Sequence, residues 1–137
     1  MASSDLSTDK VLQVELVAAD RLVWSGQATM VIARTTEGDV GILPNHAPLL
    51  SSIIEGVVDV QTTDGETWVA AVDAGFLSVA DNRVSILSER AEMSHEIDLE
   101  QARAELDRCK QAGENDDEAQ EKVRRLEARV RAAERAS

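Results

Sequence analysis

Nucleophilic or acid–base chemistry in this chain would have to draw on two histidines, His46 and His95, and one cysteine, Cys109. A catalytic nucleophile needs a positioned base beside it. His46 stands in the run Gly41-Ile42-Leu43-Pro44-Asn45-His46-Ala47-Pro48-Leu49-Leu50, and no serine or cysteine within that loop is placed to use it. His95 lies between Ser94 and Glu96, at the join where the sequence changes period, and reads as part of a solvated hinge. Cys109 falls on an apolar helical seam, where a thiol behaves as a small core residue. One cysteine and two distant histidines lack the spacing of a zinc site. The carboxylates are scattered over turns, and there is no glycine-rich phosphate loop. These residues give no support for an autonomous enzyme.

What distinguishes His46 is its setting. Pro44 and Pro48 are the only prolines in the chain. Proline fixes φ and cannot donate to a β-ladder, so the segment reads as a rigid loop between two strands that presents His46 at a set angle. Such a loop costs little to order when a partner docks. A purely structural corner with a satisfied imidazole would leave the same pattern.

The surrounding elements follow from periodicity. From Val11 to Ser88 the apolar period is close to two, as in Leu12, Val14, Leu16 and Ala18. Turn signals recur at Thr36-Glu37-Gly38-Asp39, Glu55-Gly56, Asp64-Gly65 and Asp81-Asn82. Short strands at this spacing predict an antiparallel sandwich or barrel. Nothing here has the length of a crossover helix. After Ser94 the period becomes helical. Leu99, Ala102, Leu106 and Cys109 form one seam, and Ala119, Val123, Leu126, Val130 and Ala133 form a second. Asp98 and Asp117 are the expected N-caps, each with a glutamine three residues on. Gly113 is the expected stop, followed by the polar turn Glu114-Asn115-Asp116-Asp117. The predicted architecture is α+β: a flexible arm at 1–10, a flattened antiparallel β-sandwich at 11–93, and an antiparallel two-helix hairpin at 94–137. The seams are thin, so the hairpin can close on itself or open and lay its apolar stripe on another protein.

Composition narrows the partners. The chain has 137 residues and a net charge of −12, with only 2% aromatic residues and no tyrosine. Acidity argues against a phosphate-backbone partner, and the lack of stacking platforms argues against single-stranded nucleic acid. The core has to be built from Val, Leu, Ile and Ala. No window approaches the roughly 20 apolar residues of a membrane span. One cysteine allows no intrachain disulfide, which fits a reducing compartment. Residues 119–137 carry six basic and three acidic side chains and form the one basic segment. A basic tip on an acidic protein suggests an acidic partner for that tip, while a solvated helix of alternating charges would look similar.

The collinear series of motifs is more specific than any one of them. Glu37-Gly38-Asp39-Val40-Gly41-Ile42-Leu43-Pro44-Asn45-His46-Ala47-Pro48-Leu49 resembles the signature of the epsilon subunits of F-type ATP synthases. Val23-Trp24-Ser25-Gly26 is similar to that family's first turn. Ala74-Gly75-Phe76-Leu77-Ser78-Val79 with Val84-Ser85-Ile86-Leu87 resembles its last strands, and Glu96-Ile97-Asp98 the start of its helices. The resemblance runs from about Leu12 to the end of the chain. Two departures leave it intact: Asn45 replaces a glycine and tolerates the left-handed region, and Ala74 replaces the first glycine of a pair, which requires a negative φ there.

The resemblance implies a non-catalytic rotor subunit at the cytoplasmic face of a bacterial cell membrane, held there as a peripheral subunit by its partners. Its β-domain would bind the gamma subunit and sit on the c-ring, coupling proton flow to rotation. Glu37, Gly38 and Asp39 would face the c-ring, and Pro44, His46 and Pro48 would help form the gamma and c-ring contact. Arg124, Arg125, Arg129 and Arg131 would meet acidic regions of the alpha and beta subunits and restrain ATP hydrolysis. Some bacterial epsilon subunits also hold ATP, with a motif of Ile or Leu, Asp, two variable residues, Arg and Ala. Here the run is Ile97-Asp98-Leu99-Glu100-Gln101-Ala102, and Gln101 stands where the arginine would be. A neutral amide cannot supply that charge. Ile97, Asp98, Arg125 and Arg129 are therefore candidates for a weak regulatory ATP site at most, and no other cofactor is implied. A reading from a different class is a free-standing β-sandwich adaptor whose helical hairpin binds an acidic partner.

Overall fold

The computed structural model describes residues 11–113 and 116–136. The expected arm at 1–10 and the Glu114-Asn115 part of the polar turn lie outside the described residues. Among the described residues nine strands come first: β1 (Leu12–Ala18), β2 (Arg21–Thr35), β3 (Gly38–Ile42), β4 (Leu49–Ile53), β5 (Gly56–Thr62), β6 (Thr67–Val72), β7 (Gly75–Ala80), β8 (Arg83–Ser88) and β9 (Ala91–Met93). A 3₁₀ turn, Ser94–Glu96, leads to two helices, α1 (Leu99–Gln111) and α2 (Asp117–Ala136).

The strands form one folded-over sheet in the order β1-β8-β7-β4-β2-β5-β6-β9, with β3 on β2 and a further pairing of β1 with β2. β2, at 15 residues, is long enough to serve both layers. Its first part pairs with β1, and its second part with β3 and β5. The core between the layers is aliphatic. Leu12, Ile42, Leu77 and Ile86 are fully buried, with Val14, Val31, Val58, Val79 and Val84 between them. This is the alternating face that the period of two requires.

Local chemistry accounts for most turns. Asp81 and Asn82 both have positive φ, 51° and 61°, and close a two-residue hairpin between β7 and β8. At Asp64-Gly65 only the glycine has positive φ, 89°. The loop there is longer, and the Thr62 hydroxyl closes it by accepting from Glu66 N–H at 3.1 Å. Asn45 does take the left-handed region, at φ 70°.

Three expectations change. The sheet is not purely antiparallel, because β1 runs parallel to β8. The long β2 returns beside β1, so β1's other edge is left to whichever strand closes the layer, and β8 arrives in the same direction. Val23-Trp24-Ser25-Gly26 is not a turn but lies within β2; the register slips by one residue here, leaving Val23 as a bulge. The turn falls just before it, at Ala19-Asp20. The cap of α2 is Asp116, not Asp117: Asp116 Oδ1 accepts from Ala119 N–H at 2.8 Å, and Asp117 is the first helical residue. Asp98 caps α1 as expected, accepting from Gln101 N–H at 3.1 Å. Gly113, at φ 68°, follows its end.

The two seams do meet, and α2 also lies on the sheet. Ala102, Val130, Ala132 and Ala133 pack with Ile97 against Val69 and Ala71 of β6, with Val57 of β5 beside them. β6 is therefore buried on both faces. That explains why Val69, Ala70, Ala71 and Val72 run as an unbroken apolar stretch rather than alternating.

Candidate interaction surfaces

The proline loop joins β3 to β4. A reciprocal amide pair fastens it to the β7–β8 hairpin. Asn45 N–H donates to Asn82 Oδ1 at 2.6 Å, and Asn82 Nδ2 donates to Asn45 Oδ1 at 3.3 Å. His46 N–H donates to Leu43 O at 3.1 Å, and His46 Nδ1 is 2.7 Å from Ala47 O. A carbonyl can only accept, so Nδ1 is the donor in that contact. The loop and the hairpin border one open groove, which also takes in Gln13 and Arg83.

The turn carrying Glu37, Gly38 and Asp39 is exposed and internally braced. Thr35 Oγ1 donates to Gly38 O at 2.8 Å and accepts from Glu37 N–H at 3.1 Å. Gly38 has φ 115°, a conformation L side chains rarely adopt. This turn and the proline loop sit at opposite ends of β3. The five residues of β3 span roughly 15 Å, so the turn and the loop form two surfaces and not one.

Sequence reading missed a third surface. Ser52, Phe76, Leu87, Val17 and Leu22 are successive register partners across β4, β7, β8, β1 and β2. Paired residues share a face, so they form one row on the outside of the sheet. Leu22, Phe76 and Leu87 are each more than half exposed, and Leu50, on the same face of β4, is 74% exposed. A contiguous exposed row of this kind marks a binding surface. A signal was present: Leu22-Val23, Leu49-Leu50, Phe76-Leu77 and Ile86-Leu87 each put apolar residues on both faces of a strand.

The fourth surface is closed within the chain. Arg124 reaches Glu55 at 3.2 Å, Arg129 reaches Glu92 at 2.6 Å, and Arg125 stands 4.0 Å from Asp73. Arg135 Nη1 lies 2.6 and 2.7 Å from the two oxygens of Asp59, and only Oδ2 is aligned to accept its hydrogen bond. Three of the four arginines assigned from sequence to an outside partner thus face the sheet. Arg131 is exposed and has no ion pair among the described residues. A cavity of about 180 Å³ between sheet and α2 is bordered by Asp73, Arg90, Glu92, Arg125 and Arg129. Ile97 and Asp98 do not line it: Ile97 is buried under the helices and Asp98 is occupied as a cap.

Asp73 is 3% exposed, and its Oδ1 has no hydrogen-bond partner among the described residues. Burial pushes its carboxyl above the ordinary aspartate range, and Arg125 only partly offsets this. A raised folded-state pKa gives stability that is fully present in acid and lost as pH rises through that pKa. Asp73→Asn should therefore match or slightly exceed the unmodified chain at pH 7, by roughly 1 kcal/mol at most. It should also lose the gain in stability on mild acidification that Asp73 supplies. Urea unfolding across that pH range measures this, and parallel pH profiles for the two chains would refute it.

His95 packs edge-on against Trp68, ring centroids 5.7 Å apart, and Trp68 in turn meets Trp24. Cys109 is half-buried on α1. Among the described residues no three His, Cys, Asp or Glu side chains converge as a metal site, and no helix is long and apolar enough to cross a membrane.

Residues 11–94 match the family described as ATP synthase, Delta/Epsilon chain, beta-sandwich domain. An ATP synthase epsilon chain from Streptomyces avermitilis is 54% identical over 121 residues, covering 88% of this chain and 94% of that one. One from Corynebacterium efficiens is 46% identical over 127 residues, covering 92% and 95%. Among solved structures, a chain of the Euglena gracilis mitochondrial ATP synthase shares the fold with a TM-score of 0.74 at 23% identity, covering 93% of this chain and 81% of that one. A chain from the Tetrahymena thermophila enzyme, described as central stalk and c-ring, gives 0.53 at 14% identity and covers 91% and 95%. The chain belongs to the bacterial-type epsilon chains of ATP synthase, the non-catalytic rotor subunits of the central stalk.

Proposed function

We propose that the outer face of the first sheet layer docks the gamma subunit, and that the proline loop extends that contact. The apolar row through Leu22, Val17, Leu87 and Phe76 carries this reading. It is too exposed for a free surface, and it lies on the face opposite the helices. The turn at Glu37, Gly38 and Asp39 then meets the c-ring from the other end of β3. Its braced backbone and two carboxylates suit polar loops. Held by these partners, the chain is a peripheral subunit on the cytoplasmic face of the cell membrane. Family membership sets aside the free-standing adaptor.

The helical hairpin is the regulatory part. Its basic residues suit acidic regions of the alpha and beta subunits, and docking there obstructs hydrolysis. Nucleotide is at most a weak ligand, because Gln101 brings no charge and Arg125 and Arg129 are already met by Asp73 and Glu92. The test is a chain ending at Met93, assembled into the complete enzyme. It should bind gamma as the full chain does and raise ATP hydrolysis several-fold. Loss of gamma binding on truncation would overturn the division of labour, and unchanged hydrolysis would overturn the inhibitory role.

A further inference from the structure

The four arginines that meet the sheet are spread along α2, from Arg124 to Arg135, and their carboxylates come from separate places. Glu55 precedes β5, Asp59 lies within it, Asp73 follows β6 and Glu92 lies on β9. Glu55, Val57 and Asp59 line one face of the β5 run, with an acid at either end and an apolar contact to the helices between. Four residues of strand measure roughly 13 Å. The stretch of α2 from Arg124 to Arg135 measures roughly 16 Å. Helix and strand therefore run alongside each other with their charges in step.

Glu55, Asp59 and Asp73 are each less than 15% exposed at the side chain. Pairing a buried carboxylate offsets its desolvation with little surplus, so such pairs set orientation and contribute little net affinity. Beneath the pairs, α2 buries Val130, Ala132 and Ala133 against the sheet. The ion-pair part of that contact is one that a competing acidic surface can replace at nearly constant energy.

We propose that Glu55, Asp59 and Glu92, with Asp73 behind them, are an internal decoy for the basic face of α2. They occupy the arginines that an acidic partner surface would otherwise bind, so capture of the hairpin by that surface is an exchange of ion pairs. Arg131, the basic residue of the group left facing solvent, makes the first contact. This rests on the reading that α2 meets acidic regions of the catalytic subunits, but the exchange itself is a property of the isolated chain.

The decisive variants remove the acids and keep the arginines: Glu55→Gln, Asp59→Asn and Glu92→Gln together in the full chain. Hydrogen exchange of α2 amides should speed up about tenfold, as expected from losing three partly exposed pairs, while strand amides stay protected. Binding of poly-L-glutamate, the probe for an acidic partner, should tighten about tenfold. The pair Arg124→Ala and Arg129→Ala should speed exchange in the same way and weaken poly-L-glutamate. Opposite signs on binding with the same sign on exchange are the signature of a decoy. If poly-L-glutamate binding does not tighten in the acid variant, the decoy is overturned. If it tightens while hydrolysis by the assembled enzyme is unmoved, the decoy stands and the inhibitory reading fails. Should the acid variant lose strand protection, the swap of Glu92→Arg with Arg129→Glu takes its place. It has to restore the α2 protection that Glu92→Arg alone removes, and failure to restore it overturns the proposal.

Discussion

Phe76→Lys combined with Leu87→Glu should lower affinity for the gamma subunit by at least about 100-fold and leave the isolated fold in place. The two residues are direct register partners on β7 and β8, with their side chains on the outside of the sheet. Opposite charges at directly opposed positions are compatible with an antiparallel pair, so the ladder survives. Burying the exposed part of each large apolar side chain contributes roughly 1 kcal/mol or more, and burying a charge there instead costs further. About 3 kcal/mol in total corresponds to a factor above 100. Titration of gamma with the two chains, each checked by circular dichroism, measures it. Equal affinities would show that the row is not the docking face and would move the gamma contact elsewhere.

Gly75→Ala should destabilise the chain by roughly 3 kcal/mol or more and lower its melting temperature by about 10 °C. A Cβ at Gly75 would stand 1.8 Å from the carbonyl oxygen of Leu87, and its other near neighbours are also backbone. That backbone cannot retreat cheaply. Gly75 and Ser88 are register partners. The buried Ser88 hydroxyl accepts from Asp73 N–H at 2.9 Å and lies 2.6 Å from Arg90 O, stitching β7's entry to β8's exit. Gly41→Ala is the control. Nothing lies within 4 Å of its added Cβ and its φ is not positive, so its effect should stay within about 1 kcal/mol. Thermal melts that fall together for the two variants would show that close approach at Gly75 is not what requires glycine.

The two glycines show what the sequence conveys and what it hides. Both sit in strands and look alike in sequence. Only the packed neighbour separates them, and Leu87 is twelve residues away from Gly75. Asp64-Gly65 and Asp81-Asn82 make the same point for turns. The second pair formed the two-residue hairpin expected from its residues, whereas the first became a longer loop closed by Thr62. The helix stop at Gly113 and the cap at Asp98 were legible because a cap is a bond between near neighbours. The second cap moved by one residue because adjacent aspartates offer equivalent oxygens.

The order of strands and helices, the aliphatic core and the stiff loop around His46 were set by periods and local chemistry, which act over a few residues. The family resemblance followed from the same ordered motifs. Tertiary structure alone decided that β1 runs parallel to β8, that Phe76 and Leu87 line up on an open face, and that the arginines of α2 fold back onto carboxylates. The ion partners of Arg124, Arg129 and Arg135 are 37 to 76 residues away. No local rule selects among 26 acidic residues at such distances. The choice is made when Val57, Val69 and Ala71 bury the seam of α2, because covering that apolar surface fixes which carboxylates the arginines can reach.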